Sequence, residues 1–417
     1  MDTIFAEATP PGRGGISVVR LSGPDARRIG EDLAGPLPTP RRAELRKVVD
    51  DGDLIDQALV LRFDEGASFT GEQVVEFHLH GAPVISRRVM AACERRGARL
   101  AEAGEFTQRG FLNGQIDLAQ AEGLADLLAA ETESQRKLAM QVAGGDLSAW
   151  ADEVRRKLIR AGALIEASLD FADEEMPEEV PSEVFSILDD VRDMMNAQLA
   201  GFPAAERVRQ GFEVALIGPP NAGKSSLLNA IAQRDVALVT DIPGTTRDVL
   251  EVSLDLRGLA VTLLDTAGLR ETRDTVEGLG IERARERAAA ADIRLHLSED
   301  GFIDPTLWQE GDIAVRSKAD IGDGDVSSAS GVGITELLER IYLTLSERVA
   351  GAGFVARERQ AAGLRSACAS LDQVNTAPPE VLAELVRAAS SSLQQMVGRI
   401  GVEDYLDEVF SSFCVGK

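Results

Sequence analysis

Residues 212–231, FEVALIGPPNAGKSSLLNAI, decide the fold of the middle of this chain. An apolar strand-like run leads into the pattern G-x-x-x-x-G-K-S, which begins at Gly218, and helical apolar spacing follows. Strand, glycine spacing and helix together predict a phosphate-binding loop, because backbone N–H groups and a helix N-terminus then surround a polyphosphate. We expect Lys224 to contact the β and γ phosphates and the Ser225 hydroxyl to bind Mg²⁺.

Two segments downstream predict the metal side of a nucleotide site. The stretch PGTTRD at 243–248 lies where a switch loop would offer Thr246 to the magnesium ion. The stretch DTAG at 265–268 follows a strand-like run, so Asp265 would hold the ion through water and the Gly268 amide would contact the γ-phosphate. With the phosphate-binding loop, the predicted contacts on this side are Asn221, Ala222, Gly223, Lys224, Ser225, Ser226, Thr240, Asp241, Ile242, Pro243, Gly244, Thr245, Thr246, Asp265, Thr266, Ala267 and Gly268.

The stretch SKAD at 317–320 predicts the base-recognition side. Lys318 would stack on a base, and Asp320 would accept hydrogen bonds from guanine N1 and N2. A site built on paired hydrogen bonds rejects a base without those donors by roughly 10⁴–10⁵, so the sequence favours GTP over ATP. Ser328 and Ala329 in VSSASG fit the loop that contacts guanine O6.

Leu269 occupies the position after DTAG where many GTPases have a glutamine. A leucine cannot orient a water molecule, so the polar catalytic group must come from another segment. No arginine finger is evident either, although such a residue typically contributes roughly 10³–10⁵ in rate. The motifs alone therefore leave the mechanism of hydrolysis open.

Length and composition indicate a soluble chain of two or three domains. It has 417 residues, of which 44% are hydrophobic and 27% charged, and no apolar run approaches the ~20 residues that cross a bilayer. Three cysteines in so long a chain do not form a disulfide framework, so we expect a cytoplasmic protein without a membrane partner. The net charge of −25 argues against a dedicated nucleic-acid binder, since phosphate backbones are repelled unless a basic patch or a partner intervenes.

The spacing of apolar residues divides the chain into four segments. Glycine-bounded strand-like runs, GISVVRLSG and QVVEFHLHG, predict an α+β domain over 1–116. Helical spacing over 117–210 and again over 348–417 predicts two halves of one helical domain, interrupted by a G domain at 211–347. The stretch 293–316 is short and polar, which predicts that one helix of the G domain is reduced to a loop. The predicted fold class is α/β plus all-α, with a Ras-like P-loop domain inserted into a helical bundle.

Several longer stretches carry a family resemblance. They are ATPPGRGGISVVRLSG, SFTGEQVVEFHLHG and GEFTQRGFLNGQIDLAQAEGLADLL near the N-terminus, DIPGTTRDVL and DTAGLRETRDTVEGLGIERA in the inserted domain, and FCVGK at the end. Together they resemble the MnmE (TrmE) family of bacterial tRNA-modification GTPases over the whole chain. The resemblance implies a GTP hydrolase that joins an FAD-dependent partner protein in a heterotetramer. The pair would add an aminomethyl or carboxymethylaminomethyl group to C5 of the wobble uridine of certain tRNAs.

The resemblance implies potassium as the missing catalytic group. In relatives K⁺ takes the place of an arginine finger and drives transient pairing of two G domains, and a fixed cation can neutralise charge that develops between the β and γ phosphates. Glu277 matches the acidic residue that positions the attacking water, whereas the sequence alone would favour a solvated carboxylate at a helix start. The matching potassium ligands are Asn221, Thr240, Ile242 and Thr245.

The resemblance also implies a tetrahydrofolate site in the N-terminal domain, which in the family holds two protomers together as a homodimer. A 5-formyl- or 5,10-methylene-tetrahydrofolate would supply the one-carbon unit, and the FAD-dependent partner would grip much of the tRNA. This division of labour reconciles a tRNA substrate with the acidic composition. Relatives usually have a basic residue at the position of Gln115. The matching folate contacts are Arg20, Glu76, Gln115 and Lys417.

Three further residues, one cysteine and two histidines, suggest additional chemistry. The tail CVGK has the outline of a lipidation box, but a terminal lysine without an upstream polybasic stretch argues against prenylation. Two interpretations of Cys414 stay open, a thiolate that attacks the uracil ring and a thiol that only packs. His78 and His80 lie on the same side of a strand as Glu76, but a structural metal site usually needs four donors, so lining of the folate pocket is the better hypothesis.

Ser317 marks a departure in the base-recognition motif, because relatives commonly have Asn there. The change removes a side chain that braces the loop. Asp320 remains, so we expect guanine selection to survive with a lower affinity.

Two other functions are compatible with the motifs. A GTPase that acts only as a binding switch in ribosome assembly would usually carry a basic RNA-binding module, and neither flank of the G domain resembles one. A folate-dependent one-carbon transferase with an accessory nucleotide domain would turn over folate without tRNA.

Overall fold

The chain forms two compact units in a computed structural model. One comprises Met1–Ala125 with Gln394–Lys417, and the other comprises Asp126–Leu393. No helix among the described residues is long and apolar enough to span a membrane. The structure describes residues 2–170, 180–234, 236–238, 251–265 and 285–398, together with Phe410, Phe413 and Gly416.

The first unit is built on a mostly antiparallel sheet. Its described strands are β1 Ile4–Glu7, β2 Ile16–Ser22, β3 Glu44–Asp50, β4 Asp53–Phe63, β5 Val74–His80 and β6 Arg99–Leu100. Their order across the sheet is β3-β4-β5-β2-β1-β6, and β1 with β6 is the parallel pair among them. The two strand-like runs predicted in this region are β2 and β5, which pair along their full length.

One face of this sheet packs against helices, and the other carries polar side chains together with some exposed apolar ones. Alternate strand residues such as Val19 and Phe77 are fully buried against helices on one side. Each has a polar neighbour in its strand, Arg20 on β2 and Glu76 on β5. Because side chains alternate along a strand, these two point to the opposite face. The helices in this part of the chain are α1 Ala26–Ala34, α2 Pro83–Arg95, α3 Glu105–Leu112 and α4 Leu118–Ala129.

The second unit contains long amphipathic helices before and after an inserted sheet. The helical spacing predicted within 117–210 is confirmed for one helix, because Val184, Leu188 and Val191 are buried on one helix face. Thr132 and Gln135 form a capping box at the start of the first of these helices. The helices are α5 Glu133–Gly144, α6 Asp146–Asp170, α7 Ser182–Gln210, α8 Lys224–Ala232, α9 Ile334–Arg348, α10 Glu358–Leu371 and α11 Pro379–Met396.

The inserted sheet has the arrangement expected of a phosphate-binding α/β domain. Its described strands are β7 Phe212–Ile217, β8 Glu251–Leu256, β9 Leu259–Asp265, β10 Ile293–Ser298 and β11 Ile313–Arg316. The order is β11-β10-β7-β9-β8, and the pairings are parallel except for the β8–β9 hairpin. Helices α8 and α9 contribute to its apolar core. The carboxyl ends of the parallel strands share one edge, which is where open α/β sheets bind ligands.

The predicted loss of a helix between β10 and β11 is confirmed, since residues 299–312 connect the two strands through turns. Arg294 on β10 is buried and pairs with Asp312, with Nε 2.8 Å from Oδ2. Nδ1 of His296 accepts a hydrogen bond from the Asp304 backbone N–H at 3.3 Å. The loop therefore covers β10 through hydrogen bonds to buried polar side chains.

Candidate functional site

Two glycines fix the path of the phosphate-binding loop between β7 and α8. A side chain at Gly218 would overlap the carbonyl oxygen of Leu297 on β10, so glycine alone fits this close approach. Gly223 has φ +93° at the N-cap of α8, in the left-handed region that glycine enters without strain. The helix N-terminus, an anion-binding feature, therefore follows directly on the loop.

Polar contacts hold the first two side chains of α8, of which Lys224 is buried and Ser225 is exposed. Nζ of Lys224 donates to the carbonyl oxygens of Gly218 at 2.6 Å and Pro219 at 3.0 Å. Burial lowers the pKa of Lys224, and the nearby carboxylate of Asp265 opposes that shift. The Ser225 hydroxyl donates to Oδ2 of Asp265. A hydroxyl and a carboxylate are hard oxygen ligands, so the pair fits the predicted magnesium site.

A pocket of about 630 Å³ joins the phosphate-binding loop to the predicted base-recognition loops. Its volume is in the range of small-molecule sites, which is roughly 300–1,000 Å³. Segments far apart in the sequence thus meet where one nucleotide could contact them all. The predicted residues in its lining are Asn221, Ala222, Gly223, Ser226, Lys318, Asp320, Ser328 and Ala329.

Two residues that we did not predict contact the base-recognition side chains. The Ser327 hydroxyl donates to Oδ1 of Asp320 at 2.7 Å. Lys318, whose φ is +62°, forms an ion pair with Glu299 at the end of β10. Ser327 could have been identified from the sequence, because it is adjacent to the predicted residue Ser328. Nothing in the sequence pattern connects Glu299 with Lys318.

Ser317 lies buried at the pocket and does not brace the loop through its side chain. Its hydroxyl has no hydrogen-bond partner among the described residues, whereas its backbone N–H donates to the Ser298 carbonyl oxygen at 2.8 Å. This geometry agrees with the predicted loss of a side chain that braces the loop, and the lower GTP affinity stays a prediction.

Three of the predicted folate residues line a second pocket, of about 500 Å³, in the first unit. Nε of Arg20 donates to Oε1 of Glu76 at 2.8 Å across β2 and β5, and Gln115 lies in the same lining. His78 contacts Glu76, and His80 contacts a carboxylate on β4. Neither histidine lines the pocket, so the prediction that they do was wrong.

No group of three or more His, Cys, Asp or Glu side chains that could hold a metal ion is found within the described residues. Cys93 and Cys368 are buried. Burial raises the pKa of both thiols, that of Cys93 to about 12, so neither is a reactive thiolate. The other predicted site residues lie outside the described residues: Thr240, Asp241, Ile242, Pro243, Gly244, Thr245, Thr246, Thr266, Ala267, Gly268, Glu277, Cys414 and Lys417.

Known proteins similar to this chain share its whole length. A protein of Paracoccus denitrificans named tRNA modification GTPase MnmE is 62% identical over 420 residues, with 100% of both chains covered. Proteins of the same name from Roseobacter denitrificans and Dinoroseobacter shibae are 50% and 49% identical, again over 100% of both chains. A solved GTP-binding protein of Sulfolobus solfataricus, in complex with GDP, matches 63% of this chain and 76% of its own at 12% identity. Its TM-score of 0.23 is too low to support an argument.

Two family descriptions also match the chain. Residues 3–115 match the GTP-binding protein TrmE N-terminus, and residues 118–414 match the MnmE helical domain. With full-length relatives at 62% identity, these matches establish that the chain belongs to the MnmE family of tRNA modification GTPases.

Proposed function

We propose that this chain hydrolyses GTP and that the hydrolysis controls modification of the wobble uridine in tRNA. One observation carries the proposal: the pocket that joins the phosphate-binding loop to Lys318 and Asp320. The Ser225–Asp265 contact supports a magnesium site beside it. The relatives named above are called tRNA modification GTPases, and this name supports the tRNA part of the proposal.

In the proposed hydrolysis each residue has a separate role. Lys224 contacts the β and γ phosphates, and Ser225 holds magnesium, with Thr246 as a further ligand. Bound magnesium and potassium supply positive charge where negative charge develops between the β and γ phosphates. Glu277 positions the attacking water, which a leucine at position 269 cannot do. The proposed potassium ligands are Asn221, Thr240, Ile242 and Thr245.

We propose that the pocket of Arg20, Glu76 and Gln115 binds a 5-formyl- or 5,10-methylene-tetrahydrofolate, with Lys417 as a further contact. The folate supplies the one-carbon unit of the aminomethyl or carboxymethylaminomethyl group at uridine C5. An FAD-dependent partner completes a heterotetramer in the cytoplasm and carries most of the tRNA contact, since a chain of net charge −25 repels a phosphate backbone. Cys414 is proposed as the thiolate that attacks the uracil ring.

The open face of the first sheet supports the proposed homodimer. Leu45 on β3 stands directly opposite Leu59 on β4, and their exposed fractions are 65% and 44%. The cross-strand partners of these leucines on the next strands are His78 on β5 and then Val18 on β2. Two adjacent exposed leucines on a regular sheet face favour burial against a second protomer.

A tRNA nucleoside profile tests the proposed function. A strain that lacks this chain would be complemented either with the wild-type chain or with Ser225→Ala, which removes a magnesium ligand. We expect modified wobble uridines with the wild type and their loss with the variant. An unchanged profile in the deletion strain would contradict the tRNA assignment, and full complementation by the variant would contradict control by GTP hydrolysis.

Potassium dependence has its own test. We expect replacement of K⁺ by Na⁺ to slow GTP hydrolysis by at least roughly tenfold, because the cation takes the part of an arginine finger, while GTP affinity stays within about twofold. Equal rates in the two salts would rule out the potassium mechanism and leave GTP binding untouched.

A further inference from the structure

The folate-type pocket of the first unit contains an arginine for which neither the sequence nor the comparisons give a role. Arg41 lies in the connection from α1 to β3 and lines the pocket together with Arg20 and Glu76. Its backbone is in the left-handed region, with φ +62°, and its N–H donates to the Arg62 carbonyl oxygen at 2.9 Å. A non-glycine residue held in this conformation is uncommon and often marks a ligand site.

The charges in the pocket lining do not balance. Arg20 and Glu76 neutralise each other through a contact of 2.8 Å, and Gln115 is uncharged. Nη2 of Arg41 donates to the Ala67 carbonyl oxygen at 2.8 Å, and Arg41 has no carboxylate within 4.0 Å among the described residues. The described lining therefore offers one uncompensated cation, in a chain whose net charge is −25.

The negative and positive groups of the pocket lie at different depths. The side chain of Glu76 is 13% exposed and lies at the base on the sheet, whereas Arg41 is exposed at the rim. Phe69, which is 42% exposed, lies in the same lining and offers a surface for stacking. This arrangement suits a ligand with hydrogen-bond donors on a ring at one end and a carboxylate at the other.

The loop beside Arg41 is held in a fixed shape. Gly66 N–H donates to the Gly71 carbonyl oxygen at 2.8 Å, and Nδ2 of Asn113 donates to the Thr70 carbonyl oxygen at 2.6 Å. Because Arg41 bonds to Ala67 inside this loop, its guanidinium is already positioned at the rim. Preorganisation of this kind reduces the entropy lost when a ligand binds.

We propose that Arg41 is the residue of this pocket that recognises the glutamate carboxylates of the folate. The inference rests on the proposed function, in which the pocket binds a tetrahydrofolate. Glu76 would accept hydrogen bonds from the pterin ring at the base, and Arg41 would pair with a carboxylate at the rim. A charge-assisted pair with a planar guanidinium is the strongest contact that such a lining can add.

Calorimetry with two ligands tests the proposal on the full chain. The probes are 5-formyltetrahydrofolate and 5-formyltetrahydropteroic acid amide, in which a neutral amide takes the place of the glutamate. We expect the wild type to bind the glutamate-bearing compound about tenfold more tightly, in line with one charge-assisted hydrogen bond. Arg41→Gln is expected to reduce that ratio to about one by weakening the first compound alone, and Arg41→Lys to retain part of the ratio.

Arg42→Gln provides the matched control, because this exposed neighbour does not line the pocket and is expected to leave both affinities unchanged. The inference is overturned if Arg41→Gln leaves the ratio unchanged, or if it weakens both compounds equally and so acts only through the loop. If the wild type binds neither compound, the folate assignment itself fails and the inference fails with it. The two failures are therefore distinguishable.

Discussion

At the scale of single residues, we expect base selection to depend on Asp320. Its carboxylate lies in the nucleotide pocket and accepts a hydrogen bond from Ser327 at 2.7 Å. Asp320→Asn replaces an acceptor by an amide that can donate, so we expect GTP affinity to fall by roughly 10²-fold and affinity for xanthosine triphosphate to rise. Asp323→Asn, on the same exposed stretch, serves as the control in nucleotide titrations. An unchanged preference for GTP in Asp320→Asn would remove Asp320 from base recognition.

Ser327 is expected to act on affinity rather than on selectivity. Ser327→Ala removes the donor that orients the Asp320 carboxylate, and we expect GTP affinity to decrease by about fivefold, the effect of one hydrogen bond of about 1 kcal/mol. The preference for GTP over ATP is expected to persist because Asp320 is still present. Ser330→Ala, three residues further on, is the control. A change in base preference in Ser327→Ala would contradict a purely orienting role.

At the scale of elements, the loop after β10 packs on a buried histidine of that strand, His296. Burial lowers the pKa of His296 below its ordinary 6.5. As pH falls below about 6.5, the unfolded chain takes up a proton that the folded chain does not, so the free energy of unfolding decreases by at most about 1.4 kcal/mol per pH unit. His296→Asn keeps an acceptor for the Asp304 N–H and cannot titrate. We therefore expect this variant to lose less stability than the wild type between pH 7 and about 5.5.

Fluorescence of Trp308 measures this effect locally, since its ring lies 5.2 Å from that of His296. The other tryptophan is removed in both proteins by Trp150→Phe. Asp304 and Asp312 also face the histidine, but their pKa values are lowered from an ordinary 3.8, so they titrate below this range. Parallel pH profiles for the two proteins would contradict a neutral buried His296.

The elements also show what sequence can predict here. The loop before α8 was predictable because its glycines meet local backbone requirements, a close approach to Leu297 at Gly218 and a positive φ at Gly223. The contacts of Ser327 with Asp320 and of Glu299 with Lys318 were not, because they join segments whose proximity depends on tertiary packing. The absence of a helix after β10 was predictable from the short, polar sequence. The ion pair between Arg294 on β10 and Asp312 was not, because no periodic pattern in the sequence connects the two residues.

At the scale of the whole molecule, the acidic chain is expected to act as a dimer. Leu45→Glu together with Leu59→Glu places two negative charges on the sheet face proposed to be the protomer interface. We expect the sedimentation coefficient to change from that of a dimer to that of a monomer. Both side chains are exposed, so the thermal unfolding temperature and GTP affinity are expected to stay the same. Val84→Glu together with Arg87→Gln, at exposed positions of α2 on the opposite side of the sheet, changes the net charge by the same amount and provides the control. A dimer that persists in the leucine variant would place the protomer interface elsewhere.

The central claim is that the loop between β7 and α8 binds a guanine triphosphate together with the pocket of Lys318 and Asp320. Calorimetric titration of the purified chain with GTP and then ATP, in magnesium, tests this claim most directly. We expect one GTP bound per chain and ATP binding weaker by at least roughly 10³-fold, because only guanine offers the donors that Asp320 accepts. Equal affinities for the two nucleotides, or no heat of binding with GTP, would contradict it.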